Sequence, residues 1–304
     1  MLKNILESRK QNNDHYHEEY QYHYLILDII KENKLFVGRN GDTIAVYGCA
    51  MNFSLTDNVI PLITTKKLAW KTCLKELLWF IHGDTSNKRL NEQNVHIWNA
   101  NASREFLDTR GLYNREEGDL GPVYGAQWRH FNADYSDCNA NYEGKGIDQL
   151  QEIIDCLKNP EKRNSRRLIL TAWNPCKLDE MALPPCHLLC QFNVFDNQLS
   201  CNLYQRSGDV GLGVPFNIAS YAFLTHLLAH HCDLVAGEFN HFLGNTHIYS
   251  DHIDGLKTQV QRKPYKFPKL KIVNKYDNIN DYKVEDFVVC DYKFHDKINL
   301  NMRQ

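Results

Sequence analysis

No stretch of about 18 uncharged apolar residues occurs in the chain. Its amino-terminal MLKNILESRKQNNDHYHEE is too polar for the core of a signal peptide. These absences exclude a membrane-spanning helix and a secretory leader, so the chain reads as soluble and cytoplasmic. An excess of one charge is also missing: 35 Lys and Arg against 37 Asp and Glu leave a formal net charge of -2. No global field then recommends a nucleic acid or a membrane, and any anion site has to be local. The ten cysteines are scattered and form no CxxC, which fits free thiols of a reducing compartment better than a disulfide framework. Internal repeats, low-complexity linkers and sharp shifts of composition are lacking too. The simplest organisation is one domain over residues 1–304, with about 1–18 as a polar arm.

What is present is apolar material for a deep core, at 43% of the 304 residues. YQYHYLILDIIKENK (20–34) spaces Leu25, Ile26, Ile29 and Ile30 as a helix, and RNGDTIAVYG (39–48) gives a turn leading into a β-rich run. WKTCLKELLWFIHG (70–83) sets Cys73, Leu74, Leu77, Leu78 and Ile81 on one broad helical face that ends at Gly83, with Glu76 among them. GIDQLQEIIDCLKNP (146–160) repeats the helical spacing with Leu150, Ile153, Ile154 and Leu157. RLILTAW (167–173), HLLCQFNVF (187–195) and LSCNLYQR (199–206) read as strands, the last two joined as a hairpin through DNQ. FNIASYAFLTHLLAHHC (216–232) reads as a buried helix, and the tail from about Lys266 as short strands and loops. Strands grouped together among helices predict an α+β fold.

MALPPCHLLCQF (181–192) raises the chemical question. A nucleophilic cysteine needs thiolate character, which nearby cations or a hydrogen-bond network supply. Cys186 is the candidate, and Arg166, Arg167, Arg206 and Ser207 offer forks and a hydroxyl suited to a phosphate. Taken alone, Cys186 is equally a small buried hydrophobe, and the arginine pair equally a solvated face. The glycines of GDVGLGVPFN (208–217) do not make a dinucleotide fingerprint, which discounts a nicotinamide cofactor. His241, His247 and His252 match no zinc spacing, so no metal is expected.

The assembled segments decide between these readings. GDLGPVYGAQWRHF (118–131), RRLILTAWNP (166–175), MALPPCHLLCQF, LYQRSGDVGLGVPFNIASYA (203–222) and GNTHIYSDHI (244–253) follow one another in an order that resembles the thymidylate synthase family, from about Tyr20 to the carboxyl terminus. The resemblance implies a mixed β-sheet packed with helices, one sheet face forming the interface of a homodimer. It implies dUMP as substrate and 5,10-methylenetetrahydrofolate as cosubstrate, with Cys186 adding to carbon 6 of the uracil so that carbon 5 can attack the one-carbon unit. The folate is then donor of both carbon and hydride.

By the same match, Arg39, Arg206 and Ser207 bind the substrate phosphate, and Arg166 and Arg167 reach it from the other subunit. Asn217 reads the pyrimidine edge, and His247 and Tyr249 hold the ribose hydroxyl. Glu76 organises proton transfer with Tyr124 and His187 through water, and its place in an apolar helix suits a raised carboxyl pKa. Ile97, Trp98, Asn101, Leu212, Gly213 and Phe216 fall at the folate, and Asp209 at both nucleotide and folate.

Two segments depart from the family. RNGDT is one residue shorter than the usual phosphate loop and carries Asp42 in place of a glycine, and the chain ends NMRQ rather than in methionine, a small and an aliphatic residue. Looser closure would let water capture the exocyclic methylene, which makes a pyrimidine nucleotide hydroxymethylase the nearest rival. Asn217 argues against its cytosine-specific version, and Trp98 favours the hydride step. A catalytically silent relative acting on RNA lacks support, because no basic segment interleaved with aromatics is present. A cysteine hydrolase is disfavoured because neighbours on a strand face opposite ways, turning His187 from Cys186.

Overall fold

The computed structural model describes residues 17–32, 34–38 and 41–302. The polar arm up to residue 16, Arg39 and the terminal Arg303 and Gln304 lie outside the described residues, so the calls made on them are not tested.

The chain begins with α1 (Tyr20–Glu32), β1 (Leu35–Gly38) and β2 (Gly41–Ser54). Five helices follow: α2 (Trp70–Ile81), α3 (Asn87–Glu92), α4 (Arg104–Thr109), α5 (Tyr124–His130) and α6 (Gln149–Lys158). Next come β3 (Ile169–Thr171), β4 (His187–Phe195), β5 (Gln198–Asp209), α7 (Gly213–His231) and β6 (Val235–Tyr249). The described chain closes with α8 (Ile253–Val260) and the small hairpin of β7 (Lys269–Ile272) and β8 (Phe287–Cys290).

The central sheet has six strands in the order β1-β2-β6-β5-β4-β3. Among the described strands only β5 and β6 pair in parallel, which requires a crossover, and α7 supplies it. That explains why α7 is apolar on every side: it buries Ile218, Phe223 and Leu227 within the core between the sheet and α2. The β4–β5 hairpin turns at Asp196 and Asn197, whose φ values of 47° and 61° match the right-handed twist of its strands. The α2 face buries as its periodicity predicts, and the chain leaves the helix through Gly83 at φ 71°.

Two elements differ from the sequence expectation. The strand predicted over 167–173 is confined to Ile169–Thr171, because the Trp173 N–H turns back to Thr171 Oγ1 and takes the chain off the sheet edge. The long β6 was not expected as a strand. Its side chains alternate in burial with polar residues at inward positions, so no apolar run marks it.

α1 is anchored at its start by a buried carboxylate. Glu19 Oε2 accepts the Thr64 N–H at 2.9 Å and its hydroxyl at 2.6 Å, while Oε1 accepts the Thr65 N–H at 2.8 Å and its hydroxyl at 2.6 Å. Glu19→Ala would leave two buried N–H groups unpaired, and is expected to cost about 3 kcal/mol of stability. A urea midpoint unchanged from the parent protein would contradict that assignment.

Candidate active site

Cys186 stands where a rigid loop enters β4. Arg206 donates from Nε to the Pro185 carbonyl at 2.8 Å and from Nη2 to the Pro184 carbonyl at 2.9 Å, and its backbone N–H reaches the Cys186 carbonyl at 2.8 Å. The guanidinium also lies 5.8 Å from the centre of the Trp173 ring. The Cys186 N–H donates to Tyr124 Oη at 2.8 Å. The half-buried thiol is therefore framed from both sides by fixed groups. Burial pushes its pKa above the ordinary thiol value, and the nearby Arg206 charge only partly opposes this. The thiol form prevails at neutral pH in the single chain.

A wall of rings stands beside it. Tyr124 stacks on His187 with centroids 4.2 Å apart, and Trp98 meets Tyr124 edge-on at 6.0 Å. Trp98 Nε1 donates to Glu76 Oε1 at 2.7 Å. Burial lifts the Glu76 pKa to about 7, outweighing the Trp98 hydrogen bond that favours the carboxylate. His187 Nδ1 lies 2.8 Å from Tyr221 Oη, and burial drives its pKa down to about 3, so the ring is neutral. Its polar contact is Tyr221 rather than Cys186, as the strand alternation predicts, and no hydrolase-type dyad forms between the two.

β5 and α7 present a further set of polar groups. Asn217 Oδ1 accepts from Gln205 Nε2 at 3.0 Å, and the Cβ that Gly213 lacks would stand 3.8 Å from it. Asp209 Oδ1 accepts the Gly211 N–H at 2.8 Å and faces His252 Nδ1 at 3.8 Å. In the parallel pairing of β5 with β6, Ser207 lies opposite Asn245 and Asp209 opposite His247.

The comparisons bear directly on this arrangement. The family model described as "Thymidylate synthase" matches residues 20–304. The human protein named thymidylate synthase is 52% identical over 94% of this chain and 91% of its own length. Bifunctional dihydrofolate reductase-thymidylate synthases of Plasmodium berghei and Leishmania major are 53% and 51% identical over 94% of this chain. This chain belongs to the thymidylate synthase family. It spans 48% and 55% of the lengths of those two bifunctional relatives.

The remaining residues that the thymidylate synthase resemblance singled out fall into two groups. Trp98 is buried, Asn101, Leu212, Gly213 and Phe216 are half-buried, and Ile97 packs against the core. Asn101 Nδ2 is buried without a hydrogen-bond partner. His247 and Tyr249 meet edge-on at 5.4 Å on β6, and burial lowers the His247 pKa. Arg166 and Arg167 are exposed and are not brought to Cys186 within the chain. The Arg166 carbonyl accepts from Gln191, four residues along β4 from His187. That is roughly 13 Å at the usual strand rise.

Residues to which the resemblance gave no role also belong to this arrangement. Lys66 donates from Nζ to the Gly211 carbonyl, and burial lowers its pKa to about 8. His252 Nε2 donates to the Asn301 carbonyl at 2.8 Å, tying the carboxyl-terminal segment to the Asp209 turn. Gln205, Tyr221 and His241 are buried polar residues inside apolar elements, and their placement in the fold reveals their partners. A cavity of about 630 Å³ lies elsewhere, lined by Arg89, Arg129, Asp84 and Asp148 among others. Its arginines are already paired, Arg89 with Asp84 at 2.7 Å and Arg129 with Asp148 at 2.9 Å.

Proposed function

We propose that this chain converts dUMP to dTMP, using 5,10-methylenetetrahydrofolate and Cys186 as nucleophile. The observation that carries the reading is one connected set of contacts: Trp98 joins the Glu76 carboxyl to Tyr124, Tyr124 and Arg206 hold the Cys186 backbone, and Gln205, next to Arg206, orients the Asn217 amide. The folate, when bound, supplies the one-carbon unit and the hydride and leaves as dihydrofolate. Asn101, with its buried unpaired donor, and the Asp209 carboxylate offer complementary groups to a pterin, and Leu212 and Phe216 offer apolar surface.

In this reading the Cys186 sulfur, once deprotonated, adds to carbon 6 of the uracil and makes carbon 5 nucleophilic. Glu76, held by Trp98, takes and returns protons at neutral pH, where a carboxyl with pKa near 7 is poised for both. Tyr124 and His187 order the water through which it acts. After transfer the carbon 5 proton is lost, and expulsion of the thiolate restores the ring and the free enzyme. Asn217 reads the pyrimidine edge. Arg39, Arg206 and Ser207 take the phosphate, and Asp209, His247 and Tyr249 border the nucleotide.

The active form in this reading is a homodimer. Leu189, Tyr204 and Phe242 are neighbours in register across β4, β5 and β6, and they are 36%, 43% and 41% exposed. A row of that kind across an open sheet face calls for cover, and a second copy gives it self-complementary cover. Arg206 is two residues from Tyr204 and so shares its face. Arg166 and Arg167 of the other copy would then meet the phosphate there, and their charge would lower the thiol pKa. All ten cysteines are unpaired thiols, which supports a cytoplasmic enzyme working as one domain on one continuous core.

Incubation with dUMP and methylenetetrahydrofolate is expected to yield dTMP and dihydrofolate in equal amounts. Hydroxymethyl-dUMP with tetrahydrofolate would overturn the hydride step. Asn217→Asp is expected to shift the ratio of kcat/KM for dCMP over dUMP upward by roughly a hundredfold, since a carboxyl group pairs with the cytosine amino group. An unchanged ratio would remove Asn217 from pyrimidine recognition.

A further inference from the structure

Two buried side chains, Gln205 and a histidine that the catalytic scheme leaves unused, stand in line behind the amide of Asn217. His241 on β6 and Gln205 on β5 are 0% and 2% exposed, and His241 Nε2 lies 2.8 Å from Gln205 Oε1. Gln205 Nε2 donates to Asn217 Oδ1 at 3.0 Å and to the Ser207 carbonyl at 2.8 Å. An amide oxygen only accepts, so the hydrogen of the first bond belongs to His241 Nε2. His241 Nδ1 is buried without a partner, which fits the neutral ring with its lone pair at that atom. Burial lowers the pKa to about 3, and the ring keeps this single form across the physiological range. Turning Gln205 over would set Oε1 against the Ser207 carbonyl and Asn217 Oδ1, and its NH₂ against the His241 N–H.

We propose that His241 is a positioning residue that sets which pyrimidine the site accepts, by fixing Gln205 in one orientation and through it the amide of Asn217. With Oδ1 facing Gln205, Asn217 offers the remaining lone pair of that oxygen to a ring N–H and its Nδ2 hydrogens to a ring carbonyl. Uracil presents N3–H and O4, which match. Cytosine presents N3 as acceptor and its amino group as donor, so it needs the amide reversed. Reversal would place two NH₂ groups against each other unless Gln205 also turned. His241 thus acts two side chains away from the base and touches neither substrate nor reacting atoms. The inference rests on the proposed role of Asn217 at the pyrimidine.

His241→Phe keeps a ring of similar size and removes the N–H, while His241→Gln keeps a donor. The readouts are Kd for dUMP and dCMP by calorimetry without folate, and kcat and KM for both nucleotides. His241→Phe is expected to lower discrimination in favour of dUMP roughly tenfold, the scale of one buried hydrogen bond. The loss should fall on Kd and KM for dUMP rather than on kcat, and His241→Gln should recover most of it. Should His241→Phe not fold, Gln205→Glu gives the same information: a carboxylate cannot donate to Asn217 Oδ1, and discrimination should fall by at least as much. Unchanged Kd ratios in folded variants, or equal losses for both nucleotides, would overturn the inference. Parent protein that binds dUMP in preference to dCMP yet forms no dTMP would refute the proposed reaction while leaving the recognition relay open to the same binding test.

Discussion

Cys186→Ser is expected to lose turnover by at least roughly a thousandfold while binding dUMP within about threefold of the parent protein. The expectation follows from what holds the residue. The bonds from Arg206 go to the carbonyls of Pro184, Pro185 and Cys186, and the bond to Tyr124 comes from the Cys186 N–H, so none uses the sulfur. The frame survives the exchange and only the nucleophile is lost. A serine hydroxyl is far harder to deprotonate and is a poorer partner for a conjugated ring. Because the Cys186 pKa is raised, the thiolate fraction grows with pH, and adduct formation by the parent protein should quicken from pH 6 to 9. Near-normal turnover by the serine variant, measured as dihydrofolate appearance, would remove Cys186 from the chemistry.

Glu76→Gln is expected to move activity and stability in opposite directions. Its carboxyl has a folded pKa of about 7 against an unfolded value of 4.5. Below pH 4.5 the group is protonated in both states. As pH rises toward 7 the unfolded chain releases the proton first, and the folded protein forfeits about 3 kcal/mol. The amide never ionises and escapes that loss. The variant should therefore match the parent at pH 4 and exceed its stability by up to about 3 kcal/mol at pH 8. Turnover should fall at least roughly a hundredfold, because no group remains to exchange protons. Thermal midpoints at the two pH values, taken with steady-state rates, check both halves. Equal stability at pH 8 would mean that the carboxyl is not raised, and undiminished turnover that it is not used.

Much of this was legible before the fold was known, for identifiable reasons. Amphipathic spacing marked α1, α2 and α6, and an Asp-Asn pair between two β-rich runs marked the β4–β5 hairpin. The family was readable because the Cys186 segment, the Arg206 segment and the α7 segment are each distinctive in type and order. β6 was hidden because its buried positions include His241 and Thr246, whose burial depends on neighbours far along the chain. Gln205 was hidden for the same reason, since an amide inside a strand looks like an outward-facing residue until its partners on β6 and α7 are in place. The thiol environment needed the fold: Arg206 stands near Cys186, but burial outweighs its charge within one chain. Arg166 and Arg167 could be named but not placed, because their proposed target lies in a second copy.

The central claim is a covalent bond between Cys186 and carbon 6 of the pyrimidine, and the most direct measurement is the mass of the protein after reaction with a trapping nucleotide. An analogue of dUMP with fluorine at carbon 5 cannot lose that substituent as a proton is lost, so the adduct cannot proceed to product. Incubated with this analogue and methylenetetrahydrofolate, the protein should gain the combined mass of both compounds, and digestion should place it on the peptide that carries Cys186. An unmodified mass, or an adduct mapped to any other residue, would contradict the account.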